Sequence, residues 1–337
     1  MVMHLEKRGL DMQSRKDRKY TILVSGASGI VGYGILKSLR ARNDCFLIGT
    51  TIYDESPANC FADLVELVPK TEDPRYLDFL KKLIIKHSVD MIIPAIEADM
   101  SYWNTHREEL EALGTTVLLN NPELVTLCLD KWQFYKKLEE HNYRGRILSS
   151  IECNYHTFNT PFILKPRNGF GARGLVKVEK EEDYSPFIDQ IGSNLMMQEY
   201  VGTDEEEYTV SVFFDRESRI KSMISLKRKL AKAGYTEVAE VVDVNIFRDD
   251  ILQLAQIFHP VGPTNFQFRM HNKELKLLEI NPRISSSTSI RCKFGYNESK
   301  MAVDYFMDGE EIVQPKISYG KAMRYTEDYI IYDSNNI

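Results

Sequence analysis

Hydrophobic runs in the first third of the chain alternate with amphipathic segments, in the order strand, turn, helix. A β-rich run over 21–25 is followed by a glycine turn and by a segment that predicts a helix over 33–40. A strand over 45–53, a helix over 74–87 and a third strand over 90–94 continue this alternation. Such an order predicts a parallel sheet with helical crossovers, so residues 20–125 are expected to form an α/β domain.

The pattern changes after residue 122. A helix is predicted over 130–143, and the β-rich segments that follow alternate around glycine turns, as antiparallel strands do. The last part of the chain predicts a helix over 250–258, strands over 265–271 and 275–280, and a helix near 299–308. No internal repeat is found. The fold class predicted for the chain is therefore α/β followed by α+β.

Composition narrows the range of partners. With 337 residues, of which 43% are hydrophobic, the chain can form two or three compact units. Its formal net charge of -6 gives no general attraction to nucleic acid or to anionic membranes. The five cysteines are scattered and read as reduced thiols. No apolar run of about 20 residues is present, so we expect a cytoplasmic protein with a flexible charged tail over 1–19.

The glycine turn between the first strand and helix contains Gly26, Gly29 and Gly32, and Asp54 follows the second strand. Glycines at such a turn let the backbone approach a pyrophosphate, and the spacing resembles a dinucleotide fingerprint. An NAD-dependent oxidoreductase is therefore one hypothesis. The alternative is that small residues only permit a tight turn and close helix packing. We favour the alternative, because residues elsewhere provide a nucleotide site.

Polar residues recur on the two C-terminal strands. A tight turn between these strands brings Gln267 beside Glu279 and Asn281, and alternation places Glu279 and Asn281 on one face. Oxygen-only ligands of this kind suit Mg²⁺. Farther upstream, Lys165 follows three apolar residues of a β run and needs an anionic partner if it is buried.

Five segments occur in a fixed order along the chain, and they read DKW, FILKP, RNGFGARG, QEYVGTDEEEYTV and FQFRMHNKELKLLEINPR. Together they resemble the ATP-grasp superfamily, and most closely its carbamoyl-phosphate synthetase-like branch. The resemblance implies a Rossmann-like pre-ATP-grasp domain over 20–125 and a two-lobed ATP-grasp domain over 126–337. The lid lobe would span about residues 155–200 and the C-terminal lobe about 201–330.

The resemblance also implies roles for individual residues. Those implied to bind ATP are Lys131, Lys165, Gly169, Gly171, Gly174, Glu199, Tyr200, Val201, Glu207 and Lys232. Gln267, Glu279 and Asn281 would hold two Mg²⁺ ions, with Mn²⁺ as an alternative, and Glu279 would bridge them. Arg283 and Arg228 are the implied catalytic residues, although Arg228 and Lys232 also fit a solvated charge run. Ala172 departs from the serine common at its position, and Arg324 is a further candidate substrate contact.

The function implied is that of an ATP-dependent carboxylate-amine ligase. A small-molecule carboxylate would be activated as an acyl phosphate and coupled to an amine, releasing ADP and phosphate. The NAD-dependent oxidoreductase and a non-catalytic ATP-binding module are the alternatives. A homodimer is left open, and the identity of the acid and the amine is not predicted.

Overall fold

The computed structural model describes residues 18–169, 174–231 and 234–330. They fall into two compact units, one within Met1–Leu118 and Tyr325–Ile337 and the other within Leu119–Arg324. Most of the predicted N-terminal tail lies outside the described residues. Within the described ranges, no helix combines the length and the apolar character needed to cross a membrane.

The first unit contains a five-stranded parallel sheet in the order β3-β2-β1-β4-β5. Its strands are β1 Tyr20–Val24, β2 Cys45–Thr51, β3 Leu64–Leu67, β4 Met91–Ile93 and β5 Thr116–Val117. Its helices are α1 Ile30–Leu39, α2 Tyr76–His87, α3 Glu97–Thr105 and α4 Arg107–Glu111. Every residue of β2 is buried, as expected of a parallel sheet covered on both faces. This confirms the predicted α/β class.

Two strands of this sheet, β3 and β5, were not predicted from the sequence pattern. The segment predicted as the third strand is the fourth, because β3 precedes it. β3 has four residues, none of them fully buried, and β5 has only two residues. Strands this short give no periodic signal, which explains the omission.

The glycine turn after β1 packs closely against its surroundings. Gly26 has a φ of +56°, and a Cβ atom there would lie 2.8 Å from Ile96 Cγ2. A Cβ atom on Gly32 would lie 2.3 Å from the Gly26 carbonyl oxygen. Glycine is needed at Gly26 for backbone conformation and at Gly32 for close approach of α1 to the turn. The side chain of Ile96, which follows β4, lies against this turn. The turn itself follows β1, and the strand order of the sheet reverses direction between β1 and β4.

The second unit contains a six-stranded antiparallel sheet in the order β14-β13-β10-β11-β12-β15. Its strands are β10 Glu207–Phe214, β11 Ile220–Leu230, β12 Thr236–Val242, β13 Gly262–His271, β14 Glu274–Asn281 and β15 Lys321–Met323. One face is apolar and forms a core with helices of the same unit, through residues such as Phe134, Phe247, Leu254, Phe266 and Phe268. The other face carries polar side chains of β10, β13 and β14, which become the candidate site.

The helices of this unit are α5 Pro122–Leu127, α6 Lys131–Glu140, α7 Glu181–Tyr184, α8 Arg248–Phe258, α9 Thr288–Lys293 and α10 Glu298–Phe306. α6 begins where Asp130 accepts hydrogen bonds from the backbone of Trp132 and Gln133, as an N-cap does. This cap places Lys131 at the first helical position.

A separate four-stranded antiparallel sheet has the order β6-β9-β7-β8. It consists of β6 Ser149–Ser150, β7 Phe162–Pro166, β8 Val176–Val178 and β9 Leu195–Glu199. Phe162, Leu164 and Met197 belong to its own small core. The apolar residues that precede Lys165 thus serve to anchor β7. The antiparallel sheets confirm the predicted α+β class of the C-terminal part.

Candidate functional site

The hairpin of β13 and β14 presents polar side chains on one face. In its register, Gln267 lies opposite Glu279 and Asn265 lies opposite Asn281. The Asn281 side-chain nitrogen donates to Glu279 Oε1 at 3.1 Å. Because paired residues of antiparallel strands share a face, the structure brings the three predicted metal ligands together. Asn265, which the sequence reading did not single out, joins them.

Asn265 is almost fully buried, with 1% of its surface exposed. Its side-chain oxygen accepts hydrogen bonds from Thr209 Oγ1 at 2.6 Å and from Ser285 Oγ at 3.1 Å. Within the described residues, its side-chain nitrogen has no hydrogen-bond partner. A buried donor without a partner costs free energy, so this position favours an oxygen-bearing ligand near Asn281.

Lys165 reaches the same region from β7. Its Nζ lies 3.4 Å from the Tyr135 hydroxyl and 3.4 Å from the Leu278 carbonyl oxygen. The ammonium also lies 5.3 Å from the centre of the Tyr135 ring, within the range of a cation–π contact. Burial lowers the pKa of Lys165, and the negative charge of Glu279 partly offsets that effect. Lys165 and Glu279 therefore share one electrostatic environment.

Lys131 is buried although it begins a helix. Its Nζ donates to the carbonyl oxygen of Gly169, and its backbone nitrogen donates to the Arg167 carbonyl at 2.9 Å. Arg167 in turn pairs with the cap residue Asp130 at 2.6 Å. The start of α6 and the glycine loop after β7 are thus joined at Lys131.

The glycine loop is described only at its two ends. Gly169 has a φ of +102° and Gly174 a φ of +72°, a backbone region that side-chain-bearing residues rarely adopt. Gly171 and Ala172 lie outside the described residues, and so does Lys232. Their predicted roles stay predictions.

Three residues implied to bind ATP lie at the end of β9 and directly after it, namely Glu199, Tyr200 and Val201. The Glu199 backbone nitrogen donates to the Leu148 carbonyl at 2.9 Å. Val201 is buried, and the Lys177 ammonium lies 5.2 Å from the centre of the Tyr200 ring. The three residues connect the four-stranded sheet to the segment that leads into β10.

Glu207 is held between two arginines. Its Oε1 accepts from Arg228 at 2.8 Å, and its Oε2 accepts from Arg269 at 2.9 Å. Arg228 also donates to Gln267 Oε1. Glu207 and Arg228 are both buried. Arg228 lies on β11, directly opposite Glu207 in the sheet register, so it does not belong to the solvated charge run that the sequence also allowed.

Two other arginines differ in their surroundings. The half-buried Arg283 follows β14 and donates through Nη1 to the Ile284 carbonyl at 2.9 Å. Arg324 donates to the backbone carbonyl of Thr236 at 2.7 Å and to that of Ser286. Arg324 therefore ties β12 to the segment after β14, which is a structural role.

Arg269 and Tyr135 were not identified from sequence. Arg269 lies two residues beyond Gln267 on the same strand, so strand periodicity could have placed it on the site face. Tyr135 gives no comparable signal, because an aromatic residue inside an amphipathic helix usually belongs to the core. Only the fold shows that its hydroxyl faces Lys165.

The site combines cationic side chains, which can bind an anion such as phosphate, with oxygen atoms, which can bind a metal ion. No group of three or more His, Cys, Asp or Glu side chains suited to a metal occurs in the part of the chain that the structure describes. The candidate metal ligands are therefore one carboxylate, that of Glu279, and the side-chain amide oxygens of Asn281 and Gln267. Such a set fits Mg²⁺, which takes one or two carboxylates and draws other ligands from water and substrate phosphates.

Comparisons with known proteins bear on the same segments. Residues 192–329 match the family described as ATP-grasp in the biosynthetic pathway with Ter operon. Residues 35–118 match the PylC-like N-terminal domain. The N5-carboxyaminoimidazole synthetase structure from Staphylococcus aureus aligns with a TM-score of 0.72 at 16% identity, over 89% of this chain and 80% of that one. Residues 192–329 are therefore part of an ATP-grasp domain, and the fold of the chain is that of the aligned synthetase.

Two further comparisons cover most of the chain. The carbamoyl phosphate synthase large chain of Methanothermobacter thermautotrophicus is 25% identical over 79% of this chain. The biotin carboxylase domain of 2-oxoglutarate carboxylase from Hydrogenobacter thermophilus, solved with MgADP and bicarbonate, has a TM-score of 0.68 at 13% identity. That alignment covers 90% of this chain and 73% of the domain. The chain spans only 27% of the length of the synthase chain.

Proposed function

We propose that this ATP-grasp protein is a ligase that uses ATP to activate a small-molecule carboxylate and couples it to an amine. The observation that carries the proposal is the convergence of Lys165 and Glu279. The half-buried Lys165 ammonium, from β7, lies 3.4 Å from the carbonyl oxygen of Leu278, the residue before Glu279 on β14, and the charge of Glu279 acts on this ammonium. Lysine, carboxylate and amide oxygens are the groups needed to bind a metal-bound triphosphate.

Several of the predicted residues have a role in this proposal. Lys165 binds phosphate oxygens, and Lys131 supports the glycine loop that covers them. Glu207 accepts ribose hydroxyls, and the backbone of Glu199 to Val201 binds adenine. Arg283 stabilises negative charge on the transferred phosphoryl group. Phosphoryl transfer depends mainly on positioning and charge neutralisation, which these groups supply.

Glu279 and Asn281 would hold Mg²⁺, which when bound neutralises charge on the phosphates. The Asn281 amide donates through its nitrogen to Glu279, so its oxygen is the atom that a cation would use. The unpartnered Asn265 nitrogen beside them suits an oxygen of the phosphates or of metal-bound water. The residues present therefore fit the metal-bound nucleotide.

The reaction proceeds in two steps. A carboxylate oxygen of the substrate forms a bond to the γ-phosphorus, the bond from that phosphorus to the bridging oxygen breaks, and ADP leaves with the electron pair. The amine nitrogen then attacks the acyl carbon, loses a proton and displaces phosphate. The protein orients the groups and excludes water. No covalent intermediate with the protein is required.

A hydroxylamine trap tests the proposal. Pooled amino acids and sugar acids are incubated with ATP, Mg²⁺ and hydroxylamine, and both ADP and hydroxamate are measured. We expect a hydroxamate with the correct acid, and its loss in Glu279→Gln. Glu274→Gln, at the exposed far end of the same strand, is the matched control and should retain the product. ADP release with a proven substrate, without hydroxamate and without positional isotope exchange, would exclude carboxylate activation.

The oxidoreductase hypothesis gains no support from the relatives named above. The tight packing of Gly26 and Gly32 accounts for the glycine turn without a cofactor, and Ile96 lies against the turn that a pyrophosphate would approach. A fluorescence titration with NADH separates the two hypotheses, because binding is expected for ATP and not for NADH. Substrate-dependent ADP release would exclude a non-catalytic ATP-binding module.

We also propose that the protein forms a homodimer. The support is that the biotin carboxylase domain from Hydrogenobacter thermophilus is described as a dimer. Sedimentation equilibrium measures the mass directly, and a mass that stays at 39.0 kDa at all concentrations would contradict the proposal.

A further inference from the structure

The row formed by Arg228, Glu207 and Arg269 crosses three adjacent strands. Glu207 on β10 lies opposite Arg228 on β11 and opposite Arg269 on β13. Two guanidinium groups and one carboxylate leave this row with one excess positive charge. Arg269 also pairs with Asp204 at 2.6 Å, but the Asp204 side chain is 82% exposed, so solvent screens that contact.

Arg228 extends from this row toward the predicted metal ligands. It donates through Nε and Nη2 to Glu207 Oε1 at 3.1 Å and 2.8 Å, and through the same Nη2 to Gln267 Oε1. The carbonyl oxygen of Gln267 is the only atom of that side chain that could bind Mg²⁺. A guanidinium stays charged at all relevant pH values. A second cation on Gln267 would therefore lie beside a fixed positive charge.

Arg228 is also not free to move away. Its side chain is 6% exposed and that of Glu207 is 5% exposed. Turning Arg228 outward would leave Glu207 with one of its two partners, in a buried environment where unpaired charge is costly. The opposite side of the hairpin differs, because Glu279 and Asn281 combine a carboxylate with an amide oxygen. Glu279 and Asn281 are therefore better suited to bind a metal ion than Gln267 is.

We propose that this site takes one Mg²⁺ ion, on Glu279 and Asn281, and that the Arg228 guanidinium supplies the positive charge of the second ion. Gln267 then serves as the hydrogen-bond acceptor that positions Arg228 and is not a metal ligand. This inference rests on the proposed nucleotide site. It replaces the two-ion arrangement expected from the family resemblance with a single metal ion and a fixed guanidinium beside it.

Metal counting tests the inference without any turnover. The full chain is saturated with the imidodiphosphate analogue of ATP, and Mn²⁺ retained per bound nucleotide is measured by equilibrium dialysis and electron paramagnetic resonance. One Mn²⁺ per bound nucleotide is expected. Two would overturn the inference but leave the proposed function standing. If the analogue does not bind at all, the proposed function fails and the inference fails with it.

Two variants distinguish the ligands. Loss of a metal-binding side chain should weaken Mn²⁺ affinity by roughly tenfold or more. We expect that loss in Glu279→Gln and not in Gln267→Ala, provided both variants retain the far-ultraviolet circular dichroism of the wild type. A tenfold loss in Gln267→Ala would overturn the inference.

The double variant Arg228→Met with Gln267→Glu removes the guanidinium and adds a carboxylate, so it should retain two Mn²⁺ ions. A count of one in that variant would contradict the role given to Arg228.

Discussion

Arg291 and Glu298 form an ion pair that is removed from solvent, with side-chain exposures of 0% and 1%. Arg291 lies on α9 and Glu298 begins α10. Arg291 also donates to Ser285 Oγ at 3.0 Å, and Ser211 on β10 donates to Glu298. The pair therefore fixes both helices against the polar face of the six-stranded sheet, next to Asn265.

Removing one partner of this pair should destabilise the second unit. In Glu298→Gln the Arg291 charge stays buried without a carboxylate, and loss of about 3 to 5 kcal/mol of unfolding free energy is expected. Urea unfolding followed by tryptophan fluorescence provides the measurement. The exposed Glu310→Gln is the control and should change stability by less than about 0.5 kcal/mol.

The double variant Arg291→Met with Glu298→Leu refines the same test. An apolar pair of similar volume removes both buried charges, so it should be far less destabilising than the single variant. If the double variant loses as much stability as Glu298→Gln, packing rather than charge is the cause.

The sequence located the site better than it located the groups that support it. Strand alternation was enough to place Gln267 opposite Glu279, because the two strands are consecutive and joined by a tight turn. It could not show that Arg291 is buried, since arginine in a polar segment is ordinarily exposed. Nor could it show that Arg228 reaches Gln267, because that contact joins strands separated by β10. Non-adjacent pairing depends on sheet order, which local patterns do not encode.

Lys165→Ala should weaken nucleotide binding. The change removes a charge-assisted contact to phosphate that is worth about 1.5 to 3 kcal/mol. Isothermal titration with the imidodiphosphate analogue measures the affinity, and Lys136→Ala, an exposed position on α6, is the control. Equal affinities for wild type and Lys165→Ala would remove Lys165 from the phosphate site.

The affinity of the same analogue should depend on pH. Burial lowers the pKa of Lys165 from the ordinary value of 10.5, and a bound phosphate would raise it again by favouring the charged form. Affinity is therefore complete below the pKa of the free protein and falls as pH rises through it, before an ordinary lysine would titrate. The Lys165→Ala variant should lack this loss of affinity at alkaline pH. If the wild type and the variant lose affinity equally, another group is responsible for the pH dependence.

The last prediction concerns Asp99, a buried carboxyl group of the first unit. Its Oδ1 accepts from the Thr71 hydroxyl at 2.6 Å and from the Tyr76 hydroxyl at 2.7 Å. Burial raises the pKa of Asp99 above 3.8, although the hydroxyl groups oppose that effect and Glu72 adds to it. The folded state consequently retains the proton at pH values where the unfolded chain has lost it. The free energy of unfolding should decrease as pH rises from 3.8 through the folded pKa.

Replacing the carboxyl group isolates this effect. Asp99→Asn keeps an acceptor for Thr71 and Tyr76 but cannot ionise, so the stability of the wild type relative to this variant should fall over the same pH range. Thermal unfolding measured in steps between about pH 4 and pH 7 gives the difference. The exposed Asp54→Asn is the matched control and should follow the wild type. If wild type and Asp99→Asn change in parallel, the carboxyl group of Asp99 has the same pKa in the folded and unfolded states, and the hydroxyl donors fully offset its burial.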